Sequence, residues 1–197
     1  MHWSWGSFVF LLLLNPVLLL VALVVSHMSN RSIPFLSWNV RCLGQSENCA
    51  EVKCLLGFTL QNCLPSGVEL DLIPYSKSLS FLPPSLLSFV HLPSVGAVGG
   101  VITAGCSDDF TLSRHHLGIY SLTTWFHANS SDLSFATTNV YGPNDHHLKS
   151  EFLDELTDLA TSITVPWTIL GDFNIICYSS DHSHGNFDHG EATLFND

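Results

Sequence analysis

The sequence predicts an α/β fold, because runs with the pattern of strands alternate with runs that have the pattern of helices. Three apolar, strand-like runs each end in a polar string and a turn, and an amphipathic helix separates the second run from the third. Three strand ends that meet at one rim would form a polar site above a packed sheet. The polar strings are Ser37–Arg41, Asn139–Asn144 and Gly171–Asn174.

The strands are predicted from short apolar runs bounded by Gly, Pro or polar clusters. The third and fourth strands are expected to pair with each other across the turn at Asn129–Asp132. The predicted strands are, in chain order, Pro34–Val40, Gly99–Ala104, Gly118–Phe126, Leu133–Tyr141 and Trp167–Phe173.

Two helices are predicted. The first is short, Ala50–Leu56, with Ser46 as its possible start. The second, His147–Thr161, is the clearest element, because its apolar residues fall on one face and its charged residues, Lys149 and Glu155 among them, fall on the other. Residues 57–93 are rich in Leu, Ser and Pro, so we expect them to be irregular.

The string Gly171-Asp172-Phe173-Asn174 is the strongest candidate for chemistry, because it follows the apolar run Trp167–Leu170. Successive strand residues alternate between faces, so Asp172 and Asn174 are expected to project to the same side. A carboxylate beside an amide can deprotonate a water and hold it in place. An Asp-x-Asn turn is common at strand ends, so the interpretation depends on Asn39 and Tyr141 in the two strings upstream.

Taken together, these strings resemble the endonuclease/exonuclease/phosphatase superfamily, whose fold is deoxyribonuclease-I-like. They look most like the endonuclease domain of plant non-LTR (LINE-type) retrotransposons. The resemblance extends from about Ile33 to the last residue and implies a two-sheet β-sandwich flanked by helices. The strings that carry it are Trp38–Arg41, Gly99–Ala104, Tyr120–Thr123, Thr138–Pro143, Gly171–Asn174 and Asn186–Asp197.

The resemblance implies metal-dependent hydrolysis of DNA or another phosphodiester, with Mg²⁺ or Mn²⁺ as the cofactor. Mg²⁺ prefers oxygen ligands and keeps several waters, so one or two carboxylates and an amide suffice to hold it. By this resemblance Asp172 is the general base, Tyr141 bonds the scissile phosphate, and Asn174 orients the phosphate or the water. Asn39 belongs to the metal-proximal network.

Two parts of the superfamily pattern are missing. The first is a Gln-Glu-Thr string whose Glu is the chief metal ligand. Glu69 is the nearest substitute, and Pro65 and Gly67 are expected to disrupt the strand that should position it. The second is a Ser-Asp-His string near the domain's C-terminus. We therefore expect a C-terminally incomplete domain, spanning residues 33–197, with impaired activity.

The charge of the chain argues against vigorous DNA cleavage. Six Lys and Arg residues stand against seventeen Asp and Glu residues, giving a net charge of −11. Phosphate contacts dominate affinity for nucleic acid, and this sequence has no basic stripe that could follow a duplex.

The cysteines and histidines leave further alternatives open. The lack of a Cys-x-x-Cys pair argues against a zinc ribbon, and the six cysteines are either unpaired thiols or disulfides of a secreted module. A minor alternative is a metal site, as in a secreted metal-binding module. Its ligands would be His182, His184, Asp188 and His189.

Residues 1–28 are expected to form a signal anchor or a signal peptide. Phe8–Val25 is eighteen residues long without a charge, and a helix of that length spans about 27 Å, close to a bilayer core. If the segment inserts, the protein is membrane-anchored. The alternative is an extension of an ordinary intracellular domain in the nucleus or cytoplasm. The competing function is therefore a non-catalytic remnant of a retroelement endonuclease domain, membrane-anchored if the segment inserts.

Overall fold

The computed structural model describes residues 7–14, 18–28, 31–40, 46, 49–50, 52–53, 62–66, 73–86, 88–94, 100–175, 190 and 193. For the strands that lie within residues 7–40 and 62–66 it describes the backbone.

The first sheet contains six strands. They are β1 (Ser7–Leu14), β2 (Leu18–Met28), β3 (Arg31–Val40), β4 (Asn62–Ser66), β5 (Ser88–Leu92) and β6 (Val101–Gly105). Their spatial order is β1-β2-β3-β4-β6-β5. β3 and β4 are parallel, and the other neighbouring pairs are antiparallel.

The second sheet contains four strands. They are β7 (Phe110–Leu117), β8 (Ser121–Ala128), β9 (Ser134–Tyr141) and β10 (Trp167–Asp172). The spatial order is β10-β9-β8-β7. β7, β8 and β9 form an antiparallel meander, which confirms the hairpin predicted across Asn129–Asp132. β10 is parallel to β9, because the connection between them crosses back over the sheet as a helix.

The described helices lie outside the sheets. α1 is Tyr75–Phe81 and α2 is Lys149–Ser162, and short 3₁₀ turns cover Pro84–Leu86 and His146–Leu148. α2 confirms the clearest helix of the sequence analysis. Its buried residues pack on the outer face of the second sheet in a cluster formed by Tyr120, Val140, Phe152, Leu156 and Leu159.

The two sheets face each other, with β6 against β8 and β9, and β10 against β3 and β4. The Asn139 side chain in β9 donates a hydrogen bond of 2.8 Å to the backbone oxygen of Ile102 in β6. Strand residues alternate between faces, so every second residue of β9 from Asn139 points toward the first sheet. On this side lies an apolar cluster of Phe110, Phe126, Ala128, Phe135 and Leu170.

The backbone of residues 7–14 and 18–28 differs from the expected helix. β1 and β2 are an antiparallel hairpin, and β2 pairs with β3 along its length. The valine-rich run of β2 suits a strand, since β-branched side chains pack well on a pleated surface. Within the described ranges, no helix has the length and apolar character needed to cross a membrane.

Residues 57–93, expected to be irregular, contain β4, α1 and β5. β4 includes Pro65, so the expected disruption by this proline is wrong. β4 pairs with β6 only at Asn62 and Cys63, while Pro65 is matched with Trp38 of β3. A proline without an N–H is tolerated where one side of a strand is unpaired. β7 was also missed, because its central residues Ser113 to His116 are polar and exposed and so interrupt the apolar pattern.

Several expectations lie outside the described residues. They concern the candidate metal site at His182, His184, Asp188 and His189, the cysteines Cys42, Cys54 and Cys177, and the side chain of Cys63. Cys49 and Cys106 are buried and form no disulfide bond. Among the cysteines described, the structure thus supports thiols.

Candidate functional site

Tyr141 and Asp172 lie side by side at the carboxyl ends of β9 and β10. They are register partners in the parallel pair, as are Asn139 and Leu170 one step below them. Neighbouring strands are about 4.8 Å apart, so one small ligand can contact both residues. Since Asn139 points toward the first sheet, Tyr141 and Asp172 project to the same side. Both side chains are half-buried, so a ligand can reach them at the end of the β-sandwich where β9 and β10 finish.

Hydrogen bonds join the two loops that follow these strands. The Gly142 amide donates to the backbone oxygen of Asp172 at 2.7 Å, and the Asn174 Nδ2 donates to the backbone oxygen of Gly142 at 2.6 Å. The Asn174 amide also donates to the Asp172 Oδ1 at 3.0 Å. This last bond fixes the orientation of the Asp172 carboxylate.

Asn174 does not continue the strand, so the alternation expected for Asp172 and Asn174 is wrong. β10 ends at Asp172, and Asn174 has a φ of 52°, in the left-handed region. Asparagine tolerates that conformation better than most residues, because its short side chain bonds to nearby backbone. The side chain of Asn174 therefore links the two loops.

The loops approach so closely that two positions require glycine. Gly171 has a φ of 130°, and a Cβ there would lie 2.1 Å from the backbone oxygen of Val140. A Cβ on Gly142 would lie 2.2 Å from the backbone oxygen of Phe173. Real Cβ atoms do not approach backbone this closely, so both glycines allow the strand ends to meet.

Lys149 contributes to this arrangement, although the helical pattern placed it on the solvent face. It is the first residue of α2, its exposure is only 3%, and its Nζ donates to the backbone oxygen of Asn174. A buried ammonium requires polar partners. The helical wheel reports only which face a residue shares with its neighbours, so it does not detect a first-turn side chain that points toward a loop.

Replacing Lys149 by Met should loosen the turn at Asp172–Asn174, because the Asn174 carbonyl loses a buried donor. The expected loss of unfolding free energy is about 1–3 kcal/mol, and amide hydrogen exchange at Gly142 and Asn174 should accelerate. Lys53→Met is the matched control. Lys53 is exposed and donates to the Leu79 oxygen at 2.7 Å, so water can replace it. Unchanged exchange at both amides in Lys149→Met would contradict this role.

Aromatic rings support the loops from below. The Tyr120 ring packs edge-on against Phe152 at a centroid distance of 5.7 Å, and Phe152 packs against Phe173 at 6.0 Å. The Tyr120 backbone oxygen accepts a hydrogen bond of 2.9 Å from the Tyr141 amide. These contacts hold the end of β9 and the loop after β10 in position against α2.

Glu155 of α2 organises the turn before β8. Its Oε2 accepts hydrogen bonds from the amides of Ile119 at 2.9 Å and Tyr120 at 3.3 Å, and its Oε1 accepts from the Ser121 hydroxyl. Like Lys149, Glu155 was assigned to the solvent face by its helical pattern. The structure gives it a positioning role instead.

Burial raises the pKa of the Tyr120 phenol, and the negative charges of Glu151, Glu155 and Asp145 raise it further. The unfolded chain then loses this proton at a lower pH than the folded protein. Stability from this group is complete below pH about 10 and declines as the pH rises toward the raised pKa. In Tyr120→Phe the free energy of unfolding, measured by urea denaturation at about pH 9 and about pH 11, should therefore fall less steeply. An equal decline in both proteins would contradict the assignment.

For the other two predicted site residues, Asn39 and Glu69, the structure describes only the backbone of Asn39. Asn39 is near the end of β3, where it is matched with Ser66 of β4, and β3 lies against β10. Its side chain lies outside the described part of the structure, as does all of Glu69. The structure thus brings Tyr141, Asp172 and Asn174 together and places the backbone of Asn39 in a strand next to β10.

The sequence matches no protein-family model, and a comparison with curated proteins finds no match. Solved structures do match. AP endonuclease LMAP from Leishmania major aligns with a TM-score of 0.58 and 16% identity, over 77% of this chain and 58% of its own length. A humanized TDP2 from D. rerio aligns with a TM-score of 0.53 and 14% identity, over 73% and 67%. A conserved protein of unknown function from Enterococcus faecalis V583 gives 0.52 and 16%, over 82% and 71%.

These similarities establish the fold. The chain has a deoxyribonuclease-I-like, two-sheet α/β architecture, which confirms the predicted fold class. The chain spans between 58% and 71% of the length of the three solved structures.

Proposed function

We propose that this protein is a metal-dependent phosphodiester hydrolase of endonuclease type, with its active site at the ends of β9 and β10. The observation that carries the proposal is the register pairing of Tyr141 with Asp172 on the face between the two sheets. A phenol and a carboxylate held side by side at the carboxyl ends of two strands can bind a phosphate and activate a water beside it. Two of the sequence strings that resemble the superfamily, Thr138–Pro143 and Gly171–Asn174, contain these two residues.

In the proposed reaction Asp172 accepts a proton from the attacking water. The water oxygen bonds to phosphorus while the bond from phosphorus to the leaving oxygen breaks, and that oxygen takes a proton from solvent. The Tyr141 hydroxyl donates a hydrogen bond to a non-bridging phosphate oxygen. The hydrogen bond from the Asn174 amide keeps the Asp172 carboxylate oriented for the first step. A direct role of Asn174 in orienting the phosphate or water stays a prediction.

The donor atoms of the site fit Mg²⁺ or Mn²⁺, because the described side chains at the strand ends present oxygen atoms. The half-buried Asp172 carboxylate lies among these oxygen atoms and keeps its role as the general base. Asn39 and Glu69 are the metal ligands that we propose. When bound, the ion supplies a positive charge that polarises the phosphate.

We expect slow turnover and weak affinity for long nucleic acids. The net charge of −11 opposes the approach of a polyanion, and the superfamily's Gln-Glu-Thr string is absent. Short phosphodiesters should therefore be cleaved with less dependence on ionic strength than plasmid DNA.

The test is the conversion of supercoiled plasmid to nicked circles by the purified protein with Mg²⁺, beside hydrolysis of bis(p-nitrophenyl) phosphate. Activity that requires the metal and disappears with a chelator is expected. If a folded protein cleaves neither substrate with Mg²⁺ or Mn²⁺, the proposal is wrong. That result would favour a non-catalytic remnant of a retroelement endonuclease.

We also propose that the chain derives from the endonuclease domain of a plant non-LTR retrotransposon, on the strength of the sequence strings. Reverse-transcriptase remnants beside the gene are the expected finding. An intact, unrelated gene in the same place would contradict this origin while leaving the hydrolase proposal standing.

A further inference from the structure

The segment between β9 and α2 carries three exposed side chains with metal-binding atoms. The possible ligand atoms of Asp145, His146 and His147 all lie within 4.8 Å of one another. The two imidazole rings are in contact, with centroids 3.7 Å apart at an angle of 44°, and the His146 Nδ1 is 3.8 Å from the Asp145 Oδ1. We call these three residues the Asp-His-His cluster.

The backbone of the Asp-His-His cluster is already fixed. The Asp145 Oδ1 accepts a hydrogen bond of 3.0 Å from the His147 amide, which caps the 3₁₀ turn His146–Leu148. Buried residues flank the cluster, Pro143 before it and Lys149 after it. Asp145 can keep this cap through Oδ1 and offer its other carboxylate oxygen to an ion, so binding requires rotation of exposed side chains with little cost in backbone ordering.

The distances suit a small divalent transition metal. Tetrahedral Zn²⁺ with bonds of about 2.0–2.2 Å holds its ligand atoms about 3.3–3.6 Å apart. Each ligand atom of the cluster thus needs to move by about 1 Å to reach that geometry. Two imidazoles and a carboxylate suit Zn²⁺, Ni²⁺ or Cu²⁺, whereas Mg²⁺ prefers oxygen ligands alone.

We propose that the Asp-His-His cluster is a second metal site, which binds Zn²⁺ or a similar ion and leaves a position open to water or an external ligand. It lies on the connection that begins at Tyr141 and ends at Lys149, but it shares no ligand with the proposed Mg²⁺ site. Zinc binding here does not depend on the hydrolase proposal, so Asp172→Asn should bind Zn²⁺ as the wild type does.

The test is a titration of the full chain with ZnCl₂ in the presence of Mg²⁺. Calorimetry measures the number of bound ions and their affinity, and NMR of the histidine rings identifies the ligands. The ring signals of His146 and His147 should shift together with the first equivalent. The variant His146→Ala/His147→Ala should lose one bound ion, and Asp145→Asn should bind about tenfold more weakly.

The matched control is His115→Ala/His116→Ala, which removes another exposed, adjacent histidine pair. These residues follow each other in β7, so their side chains point to opposite faces and cannot share an ion. This control should keep the wild-type number of bound ions. Equal stoichiometry and affinity in both double variants would overturn the proposal and assign any zinc uptake to other residues.

Discussion

Asp172→Asn should reduce Mg²⁺-dependent phosphodiester cleavage by about 10²- to 10⁴-fold, the usual contribution of a general base. The amide is nearly the same size as the carboxylate and can still accept the Asn174 amide hydrogen bond, but it cannot accept a proton from water. Folding should therefore be preserved. The measurement is the single-turnover rate on bis(p-nitrophenyl) phosphate at saturating Mg²⁺.

Asp158→Asn is the control for that experiment. It makes the same chemical change on an exposed residue of α2, away from the strand ends, and should leave the rate unchanged. Equal rates in the wild type and Asp172→Asn would remove Asp172 from the chemistry. Equal losses in both variants would point to net charge instead.

Gly171→Ala should destabilise the protein by more than about 3 kcal/mol. The residue has a φ of 130°, and an added Cβ would lie 2.1 Å from the Val140 oxygen and 2.7 Å from its nitrogen. Both atoms are backbone of the partner strand, so relief requires β10 to separate from β9. Urea denaturation followed by tryptophan fluorescence measures the loss, and the displaced Asp172 should also lower activity.

Gly118→Ala is the comparison that separates strain from a general effect of losing glycine. The atoms that its Cβ would meet are the ends of the Glu155 and Ser121 side chains rather than backbone. These side chains can shift at the expense of their hydrogen bonds while the strands stay paired, so the cost should be smaller. An equal or smaller loss in Gly171→Ala would show that the close approach of the two strands is not maintained in solution.

The strand ends were predictable because their signal is local. An apolar run followed by a polar string marks a strand that reaches solvent, and this pattern located the ends of β9 and β10 within one residue. The hairpin of β8 and β9 and the helix α2 were equally visible. Which strands become neighbours depends on the path of the chain, so the pairing of Tyr141 with Asp172 required the structure.

Other features were not predictable from local pattern. Lys149 has the sequence environment of a solvated lysine, and its hydrogen bond to the Asn174 carbonyl is visible only in the structure. The run at Phe8–Val25 is apolar enough for a helix or a strand, and periodicity cannot distinguish the two. Pairing with β3 decides for the strand. β10 ends at Asp172, before Asn174, whose backbone is left-handed. The alternation rule does not show where a strand ends, so it could not place the Asn174 side chain.

The most direct measurement is a double-mutant cycle between Tyr141→Phe and Asp172→Asn, using the single-turnover rate of phosphodiester cleavage with Mg²⁺. If both side chains act on one phosphate, each single variant should be slow, and the double variant should be scarcely slower than Asp172→Asn. Wild-type rates in both single variants, or losses that multiply as for independent sites, would contradict a shared site at the ends of β9 and β10.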